Sequence, residues 1–305
     1  MNVYLNNPKE KWVVDRFVKE WNTYNFKQDK TYFYGSKTIW IIAPWLWKKI
    51  PIKYLNRNKV LCTIHHIDED KFDNEQRNDF LERDKYVDIY HVISKKTFAQ
   101  VEKLTNKPIK TIPFWVNQNI WYEIKKKDNL RNKYNISKNA FVLGSFQRDT
   151  EGSDLISPKL SKGPDRFLEI VSHFNIKHNN LIVILTGKRR NYLINEFNKN
   201  DIQYRYIEMA NFEKINELYN ILDLYIVSSR YEGGPQSILE CAASKTPIIS
   251  TDVGIAREIL NDKSIFDMNN FKFAEPEIEY AYERVKNLFI PNGFKAYNEI
   301  LGEMN

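Results

Sequence analysis

Two α/β units, each built on a doubly wound parallel sheet, are predicted for this 305-residue chain. Three observations carry that expectation. Short apolar runs alternate with longer amphipathic stretches, the pattern of βαβ units. The length suits two domains with a core apiece. Hydrophobic residues at 42% and charged residues at 28% describe a globular chain rather than a disordered one.

In the first half, residues 13–21 have helical spacing, and 38–43 (TIWIIA), 60–64 (VLCTI) and 89–93 (IYHVI) read as strands. Residues 95–104 are helical again. The units meet near 113–119, just before the polar run 125–138, so a first domain of 1–118 is expected. In the second domain, 119–285, strands are expected at 141–146 (FVLGSF), 181–186 (LIVILT), 204–207, 222–227 (LDLYIV) and 247–250. Helices are expected at 164–174, 211–220, 235–244 and 256–260. The stretch 280–304 reads as helix broken at 291–293 (PNG), with 286–305 expected to run back to the first domain. Ligands of open parallel sheets bind beyond the carboxyl ends of the strands. The residues following each strand are therefore the ones to search.

Composition excludes several classes. No window approaches 18 uninterrupted apolar residues, so a membrane-spanning helix is not expected. The opening residues lack the basic and apolar regions of a signal peptide. Cys62 and Cys241 lie in apolar stretches and read as small core residues of a reduced, cytoplasmic protein. Residues 1–118 hold 21 Lys and Arg against 14 Asp and Glu, while 119–305 hold 25 of each. All seven tryptophans fall within the first 121 residues. A basic, aromatic surface is therefore expected on the first unit, centred on Trp40, Trp45 and Trp47 beside Lys48, Lys49, Lys53, Arg57 and Lys59. Such a surface suits an anionic membrane face. No helix-turn-helix, zinc-finger or RNA-recognition pattern accompanies the charge, so nucleic acid is not an expected partner.

The strongest site signal is the segment 228–240, SSRYEGGPQSILE. Gly233 and Gly234 leave the backbone bare, and Pro235 suits the first position of a helix. That helix start offers N–H groups where phosphate or sugar hydroxyls can dock. Glu240 sits among Ile238, Leu239, Cys241 and Ala242, where an unpaired carboxylate is costly to bury. A ligand diol would account for it. Upstream, Arg148 follows the first strand of the second domain, and Lys162-Gly163-Pro164 opens the next helix. Two cations so placed suit a pyrophosphate, whose charge grows as it leaves.

Two glutamates eight positions apart, Gly-Gly-Pro after the first, an Ala-rich helix, then TPIIST and Asp-Val-Gly resemble the donor-site signature of the retaining GT-B glycosyltransferases of family four, the group 1 glycosyl transferases. The likeness spans most of 140–260. It implies the GT-B fold, two Rossmann-like domains facing across a cleft. It also implies transfer of a hexose-type sugar, with retention, from a UDP- or GDP-linked donor to a glycan or lipid-linked acceptor in cell-surface polysaccharide synthesis. By this resemblance Glu240 binds the ribose and Glu232 approaches the transferred sugar. Arg148 and Lys162 hold the diphosphate, with Lys159 an alternative to Lys162. Gly233, Gly234, Pro235, Gln236 and Ser145 line the donor, and Glu208 and Met209 lie where the base edge is read. In VLCTIHH, His65 matches the family's histidine near the reacting sugar, and His66 is its neighbour.

No metal is implied, because Arg148 and Lys162 would neutralise the diphosphate; Asp68-Glu69-Asp70 lies in the wrong half for the metal motif of the other glycosyltransferase fold. Two features depart from the family: the N-terminal glycine-rich loop is replaced by Asn6-Asn7-Pro8-Lys9, and the hinge reads Pro113-Phe-Trp-Val116-Asn117. Lys188, Arg189 and Arg190 read as a solvated turn that could reach phosphate. A nucleotide-sugar epimerase of the same fold and a non-catalytic sugar-binding module stand as alternatives.

Overall fold

The computed structural model describes residues 2–10, 13–26 and 32–304. It divides into two compact units, one formed by Met1–Trp115 with Pro291–Asn305 and the other by Val116–Ile290.

The first unit holds five parallel strands: β1 (Val3–Leu5), β2 (Thr38–Ile41), β3 (Lys59–Ile64), β4 (Ile89–Val92) and β5 (Ile109–Thr111). They pair in chain order, so this sheet has no reversal of strand order. Helices α1 (Val13–Phe26), α2 (Ile52–Leu55), α3 (Asn74–Asp84) and α4 (Lys95–Val101) connect them. Helices α3 and α4 start where Asp73 and Ser94 accept the N–H groups of Gln76 and Thr97.

Alternation along the strands sorts their side chains between two faces. Ile39, Ile41, Val60, Cys62, Ile64, Tyr90 and Val92 pack with Phe80 of α3 and Val101 of α4. Trp40, Thr63 and His91 face the other way and meet an aromatic cluster. Trp21 stands edge-on to Trp40 at 5.2 Å, Tyr297 stacks on Trp40 at 5.1 Å, and Trp115 meets Phe294 at 4.7 Å. A hydrogen-bond chain crosses this cluster. Trp40 Nε1 donates to Thr63 Oγ1 at 2.8 Å, Thr63 Oγ1 lies 2.9 Å from His91 Nδ1, and His91 Nε2 lies 2.8 Å from the Ile112 carbonyl. That pattern fixes a neutral His91 with its proton on Nε2.

The expected aromatic surface is corrected by this packing. Five of the six described tryptophans are buried, Trp40 and Trp47 among them, and only Trp45, at 45% exposure, reaches solvent. Bulky rings gain most from leaving water, so they complete the core. Lys48, Lys49, Lys53, Arg57 and Lys59 do remain exposed. No described helix is long and apolar enough to cross a membrane.

The second unit has six parallel strands: β6 (Phe141–Ser145), β7 (Leu181–Thr186), β8 (Tyr204–Ile207), β9 (Leu224–Val227), β10 (Ile248–Thr251) and β11 (Ile265–Phe266). Their order is β8-β7-β6-β9-β10-β11, which reverses direction between β6 and β9. Helices α5 (Lys127–Lys133), α6 (Pro164–Lys177), α7 (Asn191–Lys199), α8 (Phe212–Ile221), α9 (Gln236–Ala243), α10 (Ala256–Ile259) and α11 (Ile278–Lys286) cover both faces. The polar run after the first unit proves to be α5, anchored by the buried Arg131, which donates to the carbonyls of Ile221, Lys138 and Ala140 and pairs with Asp223 at 2.6 Å. After α11 a short turn, Asn292–Phe294, leads into α12 (Lys295–Glu303) in the first unit.

Burial lowers the His91 pKa to about 3, well below its ordinary 6.5. As pH falls below 6.5 the unfolded chain takes up a proton that the native state refuses. His91 therefore contributes stability that is present above pH 6.5 and drains away as pH falls toward 3, at up to about 1.4 kcal/mol per pH unit. Urea unfolding of wild type and His91→Asn at pH 7, 6 and 5 is expected to show a shallower pH slope in the variant. Parallel slopes would mean that native His91 takes up the proton freely.

Candidate functional site

The reversal of strand order opens a crevice beyond the carboxyl ends of β6 and β9. Residues 228–235 leave β9 there, and residues 146–163 leave β6. The two segments are locked together. Backbone N–H groups of Arg230 and Tyr231 donate to the Ser161 carbonyl at 2.9 and 3.2 Å. The Arg230 guanidinium forks onto Asp165 at 2.8 and 2.6 Å. Gly163 has φ +63°, and a Cβ on it would sit 2.0 Å from the Ser228 carbonyl oxygen. Only glycine permits this approach. On the far side, Gly254 of the Asp-Val-Gly turn, at φ +46°, lies so close to Gly233 that a Cβ would fall 2.1 Å from its carbonyl oxygen. Thr251 Oγ1 donates to the Ser229 carbonyl at 2.6 Å.

Within this frame Lys162 Nζ pairs with Glu232 Oε1. Ser229 Oγ lies 3.2 Å from that oxygen and 2.8 Å from Gln147 Oε1. Lys162 and Glu232 are largely shielded, with side-chain exposures of 26% and 11%. Lys159 instead faces Glu151 at 3.9 Å. Arg148 is exposed, its Nε donating to the Thr150 carbonyl at 2.9 Å. Ser145 is buried at the end of β6. Pro235 precedes the first turn of α9 rather than standing in it, and its carbonyl accepts Ile238 N–H at 3.0 Å. The first N–H groups of α9 have no partner within the helix.

Glu240 is half-buried on α9, and the Tyr219 hydroxyl donates to its Oε2 at 2.9 Å. Burial and the neighbouring Glu240 carboxylate push the Tyr219 pKa far up, so this hydroxyl keeps its proton. Tyr225 stands beside it, with its hydroxyl accepting Phe146 N–H at 3.0 Å and its ring 5.4 Å edge-on from that of Tyr219. Glu208 and Met209 are exposed beyond β8, and Asn211 caps α8 through Lys214 N–H. Sequence reasoning missed Tyr219, Ser229 and Gln147. Tyr219 carried a signal only in hindsight, as a hydroxyl in an apolar stripe facing the one carboxylate of α9.

The Lys188–Arg190 turn is corrected. Lys188 is exposed, but Arg190 is fully buried, with its Nε on Asp149 Oδ2 at 3.0 Å. Burial raises the Asp149 pKa to about 6 despite the pull of that guanidinium.

In the first unit His65 follows β3. Its Nε2 lies 2.8 Å from the Ile42 carbonyl, its ring stacks 5.7 Å from Phe114, and burial lowers its pKa to about 4. His66 beside it is exposed. A cavity of about 500 Å³ opens beyond β1, lined by Tyr4, Asn6, Asn7, Lys9, Asn22 and Phe33 among others. Another, of about 460 Å³, lies against β8, α5 and α8, away from the Lys162–Glu232 pair. Among the described residues no group of three or more His, Cys, Asp or Glu side chains could hold a metal ion.

Residues 156–291 match the sequence profile of the family Glycosyl transferases group 1. No curated protein sequence matches the chain. Among solved structures, Anabaena HepE in complex with UDP and glucose is similar over 99% of both chains, at 11% identity and a TM-score of 0.77. Sucrose-phosphate synthase from Thermosynechococcus elongatus is similar over 94% of this chain and 76% of its own, at 17% identity and a TM-score of 0.68. A glycosyltransferase from Rickettsia africae covers 97% and 83%, at 19% identity and 0.61. The fold is therefore GT-B, two parallel-sheet α/β units.

Gly254→Ala is expected to push the Gly233 backbone aside and to destabilise the second unit by roughly 1–3 kcal/mol, since both the φ and the contact resist a Cβ. Denaturant unfolding measures it. A loss below about 0.5 kcal/mol would mean that the turn yields and does not fix the glycine loop.

Proposed function

We propose that this chain, whose residues 156–291 match the profile of the glycosyl transferases group 1, moves a hexose-type sugar from a nucleoside-diphosphate donor to an acceptor hydroxyl, with retention at the anomeric carbon. The observation that carries the reading is the Lys162–Glu232 pair held beside the bare Gly233–Gly234 backbone at the switch point of the second sheet. Structural likeness to HepE, whose structure holds UDP and glucose, makes a UDP-linked hexose the first donor to test, with a GDP-linked one beside it.

Glu232 pairs with Lys162. An arriving diphosphate competes for the ammonium, and Lys162 and Arg148 then oppose the charge that grows on the leaving phosphate, with no metal required. Released from Lys162, Glu232 turns to the transferred sugar. Glu240, steadied by Tyr219, accepts the ribose hydroxyls, and the N–H groups from Gly233 to Gln236 face sugar and phosphate. Attack comes from the face the phosphate leaves, and the acceptor proton passes to that phosphate. The sequence departs from a glycosidase's carboxylate pair, which supports this course over double displacement. His65, neutral at physiological pH, is assigned to the sugar, with His66 beside it. The acceptor is a glycan or lipid-linked precursor of cell-surface polysaccharide on the cytoplasmic side. The exposed lysines and arginine at 48–59 support an anionic membrane surface near it.

Thermal shift against UDP, GDP and their sugars is expected to select one nucleotide, by roughly 2.7 kcal/mol at 100 times its dissociation constant, and Glu240→Ala is expected to abolish the shift. Arg148→Ala and Lys162→Ala should each slow transfer on the order of 100-fold. Glu232→Gln should slow transfer while tightening the diphosphate, because Lys162 loses its competitor. A well-folded protein that shifts with no nucleotide would return the sugar-binding module to the lead. Turnover of the donor without acceptor to an epimeric sugar would favour the epimerase.

A further inference from the structure

The loop between Arg148 and Lys162 has a neck, and the neck is tied to a buried charge. Lys159 N–H donates to the Asp149 carbonyl at 2.8 Å, and Thr150 bridges to Pro158, so the loop leaves and returns at one point. Arg148 precedes that point. Lys162 follows it by one short turn, its N–H donating to the Lys159 carbonyl at 2.8 Å. Both cations assigned to the diphosphate thus hang on the position of Asp149 and Thr150, which are 2% and 0% exposed.

Arg190 sets that position. Its Nε donates to Asp149 Oδ2 at 3.0 Å, and its Nη1 donates to the Ser145 carbonyl at 2.7 Å and the Thr186 carbonyl at 3.2 Å. One planar fork joins the ends of β6 and β7 to the loop neck, which a lysine's single ammonium cannot span. The preceding residue reinforces it: the Arg189 carbonyl accepts Asp149 N–H, Thr150 N–H and Thr150 Oγ1–H at 3.1–3.2 Å. Stability alone does not account for the pair. A buried ion pair is on average no better than an apolar replacement, and Arg190 Nη2 is buried without a hydrogen-bond partner.

We propose that Arg190 and Asp149 are positioning residues for the donor diphosphate, fixing Arg148 and Lys162 at the two ends of one pinned loop. The inference rests on the donor-site reading above. It makes the phosphate half of the site separable from the nucleoside half, because Glu240 stands on α9 and accepts from Tyr219 of α8, elements other than the loop neck.

The test compares UDP with uridine, and GDP with guanosine, on wild type, Arg190→Lys, Asp149→Asn and Thr150→Val. Thr150→Val removes only the Oγ1 bond and leaves both buried charges paired, so it reports on the neck even where Arg190→Lys does not fold. The diphosphate dissociation constant is expected to rise about tenfold or more in Arg190→Lys and Asp149→Asn, and about threefold in Thr150→Val. The nucleoside constant is expected to stay within about twofold. A parallel loss of both ligands would make Arg190 a structural group only and overturn the proposal, as would variants that bind the diphosphate like wild type. Wild type that binds neither diphosphate would sink the donor-site reading first and this inference with it.

Discussion

Two backbones meet at Gly163 and Ser228 at a distance that excludes a single methyl group. One backbone comes from the loop that follows β6 and the other from the loop that follows β9. Because the strands themselves are adjacent at the switch point, their loops emerge side by side, and glycine lets them touch. Lys162 is the residue before that contact and Glu232 lies four beyond the other half of it. Their pairing follows from the contact rather than producing it. Arg230, forked on Asp165, and the two N–H groups on Ser161 then remove the remaining freedom of the 228–235 loop.

Around this contact the second unit divides its polar groups by task. Arg131, Asp223 and Lys127 tie α5 to the start of β9. Arg190 and Asp149 tie a loop. Tyr219 and Tyr225 carry hydroxyls into an apolar interior and place them on Glu240 and on the end of β6. Each of these groups reaches across to another element, which is how a close-packed core holds a wet surface in a fixed shape.

Much of this was legible in the sequence. The strands of both sheets are short apolar runs, and the residues that begin and end them fall within one or two positions of expectation for β2, β3, β4, β6, β7 and β8. The edge strands β5 (IKT) and β11 (IF) were not foreseen, because so few residues carry no period. Helix α3 was missed because NEQRNDFLERD is polar almost throughout and buries only Phe80 and Arg83. The tryptophans misled for a related reason. Next to a run of lysines they look like a surface, yet alternation in β2 sends Trp40 inward while the lysines on the following turn point out. Arg190 misled in the same way: three cations in a row look solvated, and nothing local tells that the third meets an aspartate forty-one residues upstream. Pairings over such distances are set by topology, not by neighbours in the chain.

The aromatic cluster beneath the first sheet has an implication for synthesis. Its strands are complete in the chain by residue 111, and each pairs with the strand before it. Yet Phe294 stands edge-on to Trp21, and Tyr297 packs on Trp40 and holds the His91 network. A nascent chain that has built the sheet therefore still exposes a face of tryptophan while the whole second unit is translated. Transiently bare aromatic faces are where misassembly and aggregation begin. The unit that starts first is thus the one that finishes last, and it is the one whose quality a ribosome-proximal chaperone would have most reason to guard.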